Sequence, residues 1–158
     1  MNPAHHLANH LREVFFGGNW TSVNLKDTLA DVSREQATTR VGSFNTIAAL
    51  VFHIHYYVGA ILKVLRGGPL DAHDRYSFDL PPIESDEAWQ RLLNQTWQDA
   101  EALAQLLERL PDERLWDDFV EPKYGTYYRN FQGLSEHTHY HLGQIVLLKK
   151  LLASAEPD

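Results

Sequence analysis

Residues 130–152 read NFQGLSEHTHYHLGQIVLLKKLL, and this stretch decides the fold. Successive residues of an α-helix are rotated by about 100°, so His137 and His141 lie one turn apart on one face. The apolar residues that share this face are Leu134, Ile145, Leu148 and Leu152. The stretch therefore predicts an amphipathic helix that carries two histidines on its buried side.

The N-terminal part of the chain shows a helical pattern that is interrupted by glycine. It begins near Ala4, meets Gly17-Gly18 and resumes after Thr21 and Ser22, which are typical helix-capping residues. Because glycine disfavours a helix interior, we predict a break there rather than one continuous helix.

Two further helical patterns lie between this region and the last helix. One spans residues 43–65 and stops at Gly67, and the other spans residues 85–110. Residues 70–84 show no period and are predicted to form a loop. Four long helical patterns without strand alternation predict an all-α protein, an antiparallel four-helix bundle, in a single domain over residues 1–158.

Composition excludes several classes of protein. The formal net charge is −7, which disfavours nucleic acid and anionic membrane surfaces as partners. The chain has no cysteine, so disulfides, cysteine-bound zinc and a thiol nucleophile of its own are excluded. The most apolar run, residues 47–62, is shorter than the roughly 20 residues of a transmembrane helix. We therefore predict a buried helix in a cytoplasmic protein.

The second helical pattern is apolar on nearly all sides. A helix at the surface of a bundle normally shows a polar face to water. We therefore expect the outer face of this helix to contact a second subunit, and we predict a homodimer.

A third histidine completes a constellation with the first two. His53 shares a helix face with Tyr57 and with Ala49 and Ala60, and the small side chains of the two alanines leave room for a ligand. Three histidines from two facing helices supply three ligands for one divalent metal ion and leave a coordination position open, as in catalytic zinc sites. We predict a metal site at His53, His137 and His141.

The metal and the alternative readings of these histidines stay open. Imidazole suits zinc and nickel, with iron and copper as alternatives. A lone histidine on an apolar face is more often a hydrogen-bonded core residue than a ligand. A second i, i+4 pair, His6 and His10, flanks an apolar stripe near the N-terminus and is predicted to lie at the surface, and His139 is predicted to face solvent or a partner.

The segment SEHTHYHLGQI at residues 135–145 resembles the last-helix signature of the DinB superfamily, in which two histidines at i, i+4 precede Gly-Gln-Ile. Residues 45–54, NTIAALVFHI, are similar to the second-helix motif that leads into one ligand histidine, and residues 19–21, NWT, resemble the first-helix region. Many members have arginine where this chain has Leu142.

This resemblance implies an up-down-down-up four-helix bundle, usually dimeric, with a metal ion held by three side chains. It assigns the ligands to His53, His137 and His141. It also implies an activity, since some branches transfer a low-molecular-weight thiol to a small-molecule substrate. Other members are described as metal-dependent hydrolases or as stress-related proteins, so hydrolysis and a non-enzymatic metal-binding role remain alternatives.

The residues around the predicted ligands favour thiol delivery over water activation. No carboxylate shares a face with the ligands, and Glu136 points about 140° away from His137, so no residue is assigned as the general base. Tyr57 and Gln144 share the ligand faces and are candidates for substrate binding. Candidates for the opposite wall are Asn24 and Thr28.

Overall fold

The computed structural model describes residues 2–154, which form six α-helices joined by loops and short 3-10 turns. Within these residues no strand forms, and a single isolated bridge pairs Asp118 with Thr126. The predicted all-α class is therefore confirmed. The helices are α1 Pro3–Phe16, α2 Leu25–Leu29, α3 Arg34–Thr38, α4 Ile47–Leu65, α5 Asp86–Glu108 and α6 Tyr127–Ala153.

The predicted break in the first pattern is present, but its cap was assigned wrongly. Helix α1 ends at Phe16 and is capped by Gly17, whose φ of 112° is a conformation that L side chains rarely adopt. The next helix begins after Asn24, whose side chain accepts a hydrogen bond from the backbone N–H of Asp27. Ser22 instead occupies a turn with a φ of 56°. A helix begins at the residue whose side chain can accept hydrogen bonds from the free backbone N–H groups of the first turn.

The long helices begin and end at strong local signals. Thr46, Ser85 and Thr126 cap α4, α5 and α6 through side chains that accept backbone N–H bonds. Helix α4 therefore begins four residues after the predicted start at residue 43, and α6 begins three residues before the predicted start at Asn130. Helix α5 ends at Glu108, short of the predicted residue 110.

The four long helices enclose one core. Helix α1 packs on α5 and α6, and α4 packs on the same two helices. The guanidinium of Arg12 on α1 bridges two carboxylates of α5, Glu101 at 3.2 Å and Glu108 at 3.0 Å. Trp89 is 1% exposed, and its indole N–H donates to the carbonyl of Val32 at 2.9 Å, which ties α5 to the segment before α3.

Helix α4 is the one helix of the described residues that is long and apolar enough to cross a membrane by length and composition alone. However, 56% of that window is buried inside the protein, which supports the interpretation as a core helix.

Part of the outer face of α4 is covered by the chain itself. The segment of residues 70–84 lies against this helix. Tyr56 bonds the backbone of His73, and Lys63 forms an ion pair with Asp71. This loop therefore covers part of the face that was expected to contact a second subunit. The homodimer stays a prediction.

Candidate metal centre

Three histidine side chains converge between α4 and α6. The Nε2 atom of His137 lies 3.0 Å from Nε2 of His53 and 3.0 Å from Nε2 of His141. Among the residues that the structure describes, this is the group of ligating side chains close enough to hold a metal ion. His137 and His141 lie one turn apart on α6, and His53 faces them from α4. The structure thus brings together the three histidines that the sequence singled out.

The other ring nitrogen of two histidines is held by an acceptor. Nδ1 of His53 donates to the backbone carbonyl of Ser77 at 3.3 Å, and Nδ1 of His141 donates to Oε1 of Gln144 at 2.7 Å. A neutral imidazole carries one proton. With Nδ1 protonated, Nε2 of both rings keeps its lone pair and points it into the group. Such partners on the outer nitrogen are typical of metal-ligating histidines.

This arrangement leaves an electron-rich centre. His137 Nε2 faces two lone pairs at 3.0 Å, those of His53 and His141, and one N–H can satisfy only one of them. A cation satisfies all three nitrogens at once. The spacing fits a first-row divalent ion, because two metal–nitrogen bonds of about 2.1 Å that meet at about 90° separate the nitrogens by about 3.0 Å.

Burial keeps the three rings neutral. His53 and His141 are each 7% exposed, and burial lowers the pKa of both imidazoles. Burial, and then the neighbouring His141 and His53 rings, lower the pKa of His137 to about 4. Neutral imidazole is the form that binds a metal. The site is therefore ready to bind a metal ion at neutral pH without first losing protons.

Aromatic side chains enclose one side of the group. The Phe78 ring stacks on His53 with centroids 3.9 Å apart and planes 9° apart. The Tyr57 ring lies edge-on to His53 and to His137, at 5.1 Å from each. Its hydroxyl donates to Asp74 at 2.7 Å. Burial and this carboxylate raise the pKa of Tyr57 to about 12, so the phenol stays protonated.

The two predicted substrate-binding residues differ in what they contact at the site. Tyr57 lines a cavity together with His137, so its role as a substrate contact stays a prediction. Gln144 is bonded to His141 and fixes the orientation of that ring. Asn24 and Thr28 bond to the α2 turn instead: Asn24 caps the helix, and the Thr28 hydroxyl donates to the Asn24 carbonyl.

The remaining histidines lie outside the group. His55 bonds Asp99 of α5 at 2.8 Å, and His6 is exposed. His139 was predicted to face solvent or a partner. It is half-buried against α1, with its ring 5.9 Å from that of His10. The helix rotation alone did not reveal that α1 packs on this side of α6.

Sequence reasoning missed the contribution of the loop. Ser77, Phe78 and Asp74 come from the segment predicted only as a long loop, and all three support the ligand face of α4. Their spacing shows no period. The one signal in the sequence is a concentration of aromatic residues, Tyr76 and Phe78, in a loop next to a histidine helix.

The donor set consists of three nitrogens with no carboxylate or fourth histidine among the described residues. A set of three protein ligands is typical of catalytic sites, which keep a position for water or substrate, whereas structural zinc sites use four. The group can therefore bind a metal and a small molecule together.

Comparison with known proteins places the chain in a family. A model of the DinB superfamily matches residues 19–145, a range that includes His53, His137 and His141. No curated protein and no solved structure shows a significant match to the chain. The resemblance that rested on short motifs is thereby confirmed over most of the chain's length. The chain belongs to the DinB superfamily.

Proposed function

We propose that this protein is a metal-dependent transferase in which His53, His137 and His141 hold one divalent transition-metal ion, zinc or nickel, and a low-molecular-weight thiol is a substrate. The observation that carries this proposal is the meeting of three neutral imidazole nitrogens, with the lone pairs of two aimed at the third across 3.0 Å. Membership of the DinB superfamily supports the same ligand set.

When bound, such an ion supplies Lewis-acid chemistry, which lowers the pKa of a thiol or a water that reaches it. In the transfer, the sulfur lone pair forms a new S–C bond with an electrophilic carbon. The leaving group departs with the electrons of the old bond, and the thiol proton passes to solvent. The chain orients the site through Ser77 and Gln144 and covers His53 with Phe78, which limits the access of water.

The surroundings support a thiol rather than water as the nucleophile. Metal-dependent hydrolases of the His-Glu-x-x-His type use a carboxylate as general base for water, and in the described part of the chain no carboxylate belongs to the group of ligating side chains. The carboxylate of Asp74 accepts the hydrogen bond of Tyr57, and that phenol stays protonated because its pKa is raised to about 12. A thiol needs no such base, since its pKa of about 8.5 is already near neutrality.

The test uses zinc-loaded protein, a panel of low-molecular-weight thiols and an activated aryl chloride, with chloride release as the readout. We expect thiol-dependent turnover that His137→Ala abolishes while circular dichroism keeps the helical spectrum. The control is His6→Ala, an exposed histidine away from the site. Hydrolysis of an activated ester without thiol dependence would contradict the transferase and support a hydrolase. Absence of both activities from the metal-loaded protein would support a non-enzymatic role.

Further expectations belong to the same proposal. The packing of α1 and of α4 on both α5 and α6 supports an up-down-down-up four-helix bundle in a single domain. A cytoplasmic location is expected.

A groove lined by Phe44, Leu147 and Leu151, whose side chains are 58%, 56% and 38% exposed, supports a homodimer. Light scattering of the purified protein tests the dimer, and a monomeric mass at micromolar concentration would contradict it.

A further inference from the structure

A cavity of about 410 Å³ lies beside the histidine triad, which consists of His53, His137 and His141, and the cavity reaches this triad at His137. Tyr57 forms its wall on α4. Gly133 lies on α6 four residues before His137, and a Cβ built at Gly133 would meet no atom within 4 Å. The absence of a side chain at Gly133 therefore keeps a groove open along α6, from His137 towards the start of this helix.

Two cationic side chains lie at the far end of this groove. Lys123 and Arg129 line the same cavity, although the chain has a formal net charge of −7. Lys123 contacts Glu121 at 3.0 Å. The arginine ion pairs within residues 2–154 are those of Arg12, Arg34 and Arg114. Arg129 therefore keeps its guanidinium available for an anionic ligand.

The loop before α6 holds this charge in place. Asn130 donates two hydrogen bonds, to the carbonyls of Tyr124 at 3.0 Å and Thr126 at 2.8 Å, and so ties the loop to the helix. Gly125 has a φ of 73°, and a Cβ there would come within 2.8 Å of Arg129 Cδ. The aliphatic part of the Arg129 side chain therefore packs over Gly125, where a larger residue would collide with it. The groove thus ends at a packed loop and not at an open surface.

We propose that this cavity binds an elongated small molecule whose anionic group, a carboxylate or a phosphate, contacts Arg129 and Lys123. The other end of this small molecule carries the thiol that reaches the triad, and this part of the inference rests on the proposed function. Arg129 precedes His137 by eight residues, a distance of about 12 Å along the helix at 1.5 Å per residue. That span is roughly the length of an extended tripeptide.

Two matched pairs of probes test the proposal by calorimetric titration of the zinc-loaded protein. Glutathione is compared with its diethyl ester, and 4′-phosphopantetheine with pantetheine. In each pair the thiol is the same and the anionic groups are present or absent. We expect the charged member of at least one pair to bind about fivefold to tenfold more tightly, as for a solvent-accessible charge-assisted contact. The pair with the larger difference identifies a carboxylate or a phosphate ligand.

Two variants assign the difference to this cavity. Arg129→Gln is expected to remove the preference for the charged probe without a change in zinc content, whereas the control Arg91→Gln, an exposed arginine on α5, keeps it. Gly133→Met is expected to fill the groove and weaken every thiol probe. Its control is Gly59→Met, since a Cβ at Gly59 also meets no atom within 4 Å and Gly59 lies outside the cavity.

The outcomes separate this inference from the proposed function. If thiols bind but charged and neutral members bind alike, or if Arg129→Gln keeps the preference, the anionic ligand is wrong and the transferase proposal stands. If no thiol of either pair binds to protein that contains zinc, both are wrong.

Discussion

The hydrogen bond from His141 to Gln144 makes the sharpest prediction about the centre. In Gln144→Met, a side chain of similar length replaces the acceptor, and Nδ1 of His141 loses its partner at 2.7 Å. The ring is then free to rotate and to move its proton to Nε2, the nitrogen that faces the other two histidines. The variant changes no ligand and introduces no charge, so it isolates the orienting bond.

The expected loss follows from the energy of this bond. A neutral hydrogen bond contributes about 1 kcal/mol net, and partners of ligating histidines are worth about 10- to 100-fold in metal affinity. Because Gln144 is half-buried and water can replace part of its role, we expect the lower end, about tenfold or roughly 1.4 kcal/mol.

Competition between metal-free protein and a chromophoric chelator for zinc measures this loss. The control is Gln132→Met on the same helix, which removes a surface bond to Glu136 of 3.0 Å and is expected to keep the affinity. A change in Gln144→Met of less than about threefold, roughly 0.6 kcal/mol, would refute the assignment of Gln144 as the residue that orients His141.

Three further predictions concern pH and stability. Burial holds the pKa of His137 at about 4, below the unfolded value of 6.5, so the unfolded state binds the proton first as pH falls. Metal-free protein should therefore lose about 1–2 kcal/mol between pH 6.5 and 4, since solvent screening of this partly exposed group reduces the full effect, and a urea midpoint that does not fall over this range would contradict it. Trp89→Phe leaves the Val32 carbonyl without its donor and should lower the free energy of unfolding by about 1–3 kcal/mol; urea unfolding measures this. His55→Leu leaves the half-buried Asp99 without its partner and should lower stability by about 1–2 kcal/mol with unchanged metal content. Loss of metal in His55→Leu would mean that this pair belongs to the site.

Periodicity was sufficient to predict which three histidines lie together. His137 and His141 at i, i+4 on an apolar face, and His53 on the face of another helix, are local properties of the helix, and the structure brings these three rings together. Helical spacing is set by backbone geometry and does not depend on the rest of the chain.

The loop contacts could not be predicted in this way. The carbonyl of Ser77 that fixes His53, and the Phe78 ring that covers it, depend on how residues 70–84 pack on α4. An irregular segment has no period, and its path follows from tertiary contacts. The same loop covers part of the apolar outer face of α4, which the helical period alone does not show.

The starts of α2, α4 and α6 were predicted with errors of a few residues for a related reason, whereas α5 begins after Ser85 as predicted. Several capping residues stand near each start, and the sequence does not show which one bonds the first turn. Asn24 rather than Thr21 or Ser22 caps α2, because its side chain reaches the N–H of Asp27 at 2.9 Å.

The metal content of the native protein, purified without a histidine tag, tests the central claim most directly. Elemental analysis should find about one transition-metal ion per chain, and His53→Ala, His137→Ala and His141→Ala should each lose it, while the control His6→Ala keeps it. Native protein that takes up no transition metal, or His53→Ala with unchanged stoichiometry, would contradict a centre built from these three histidines.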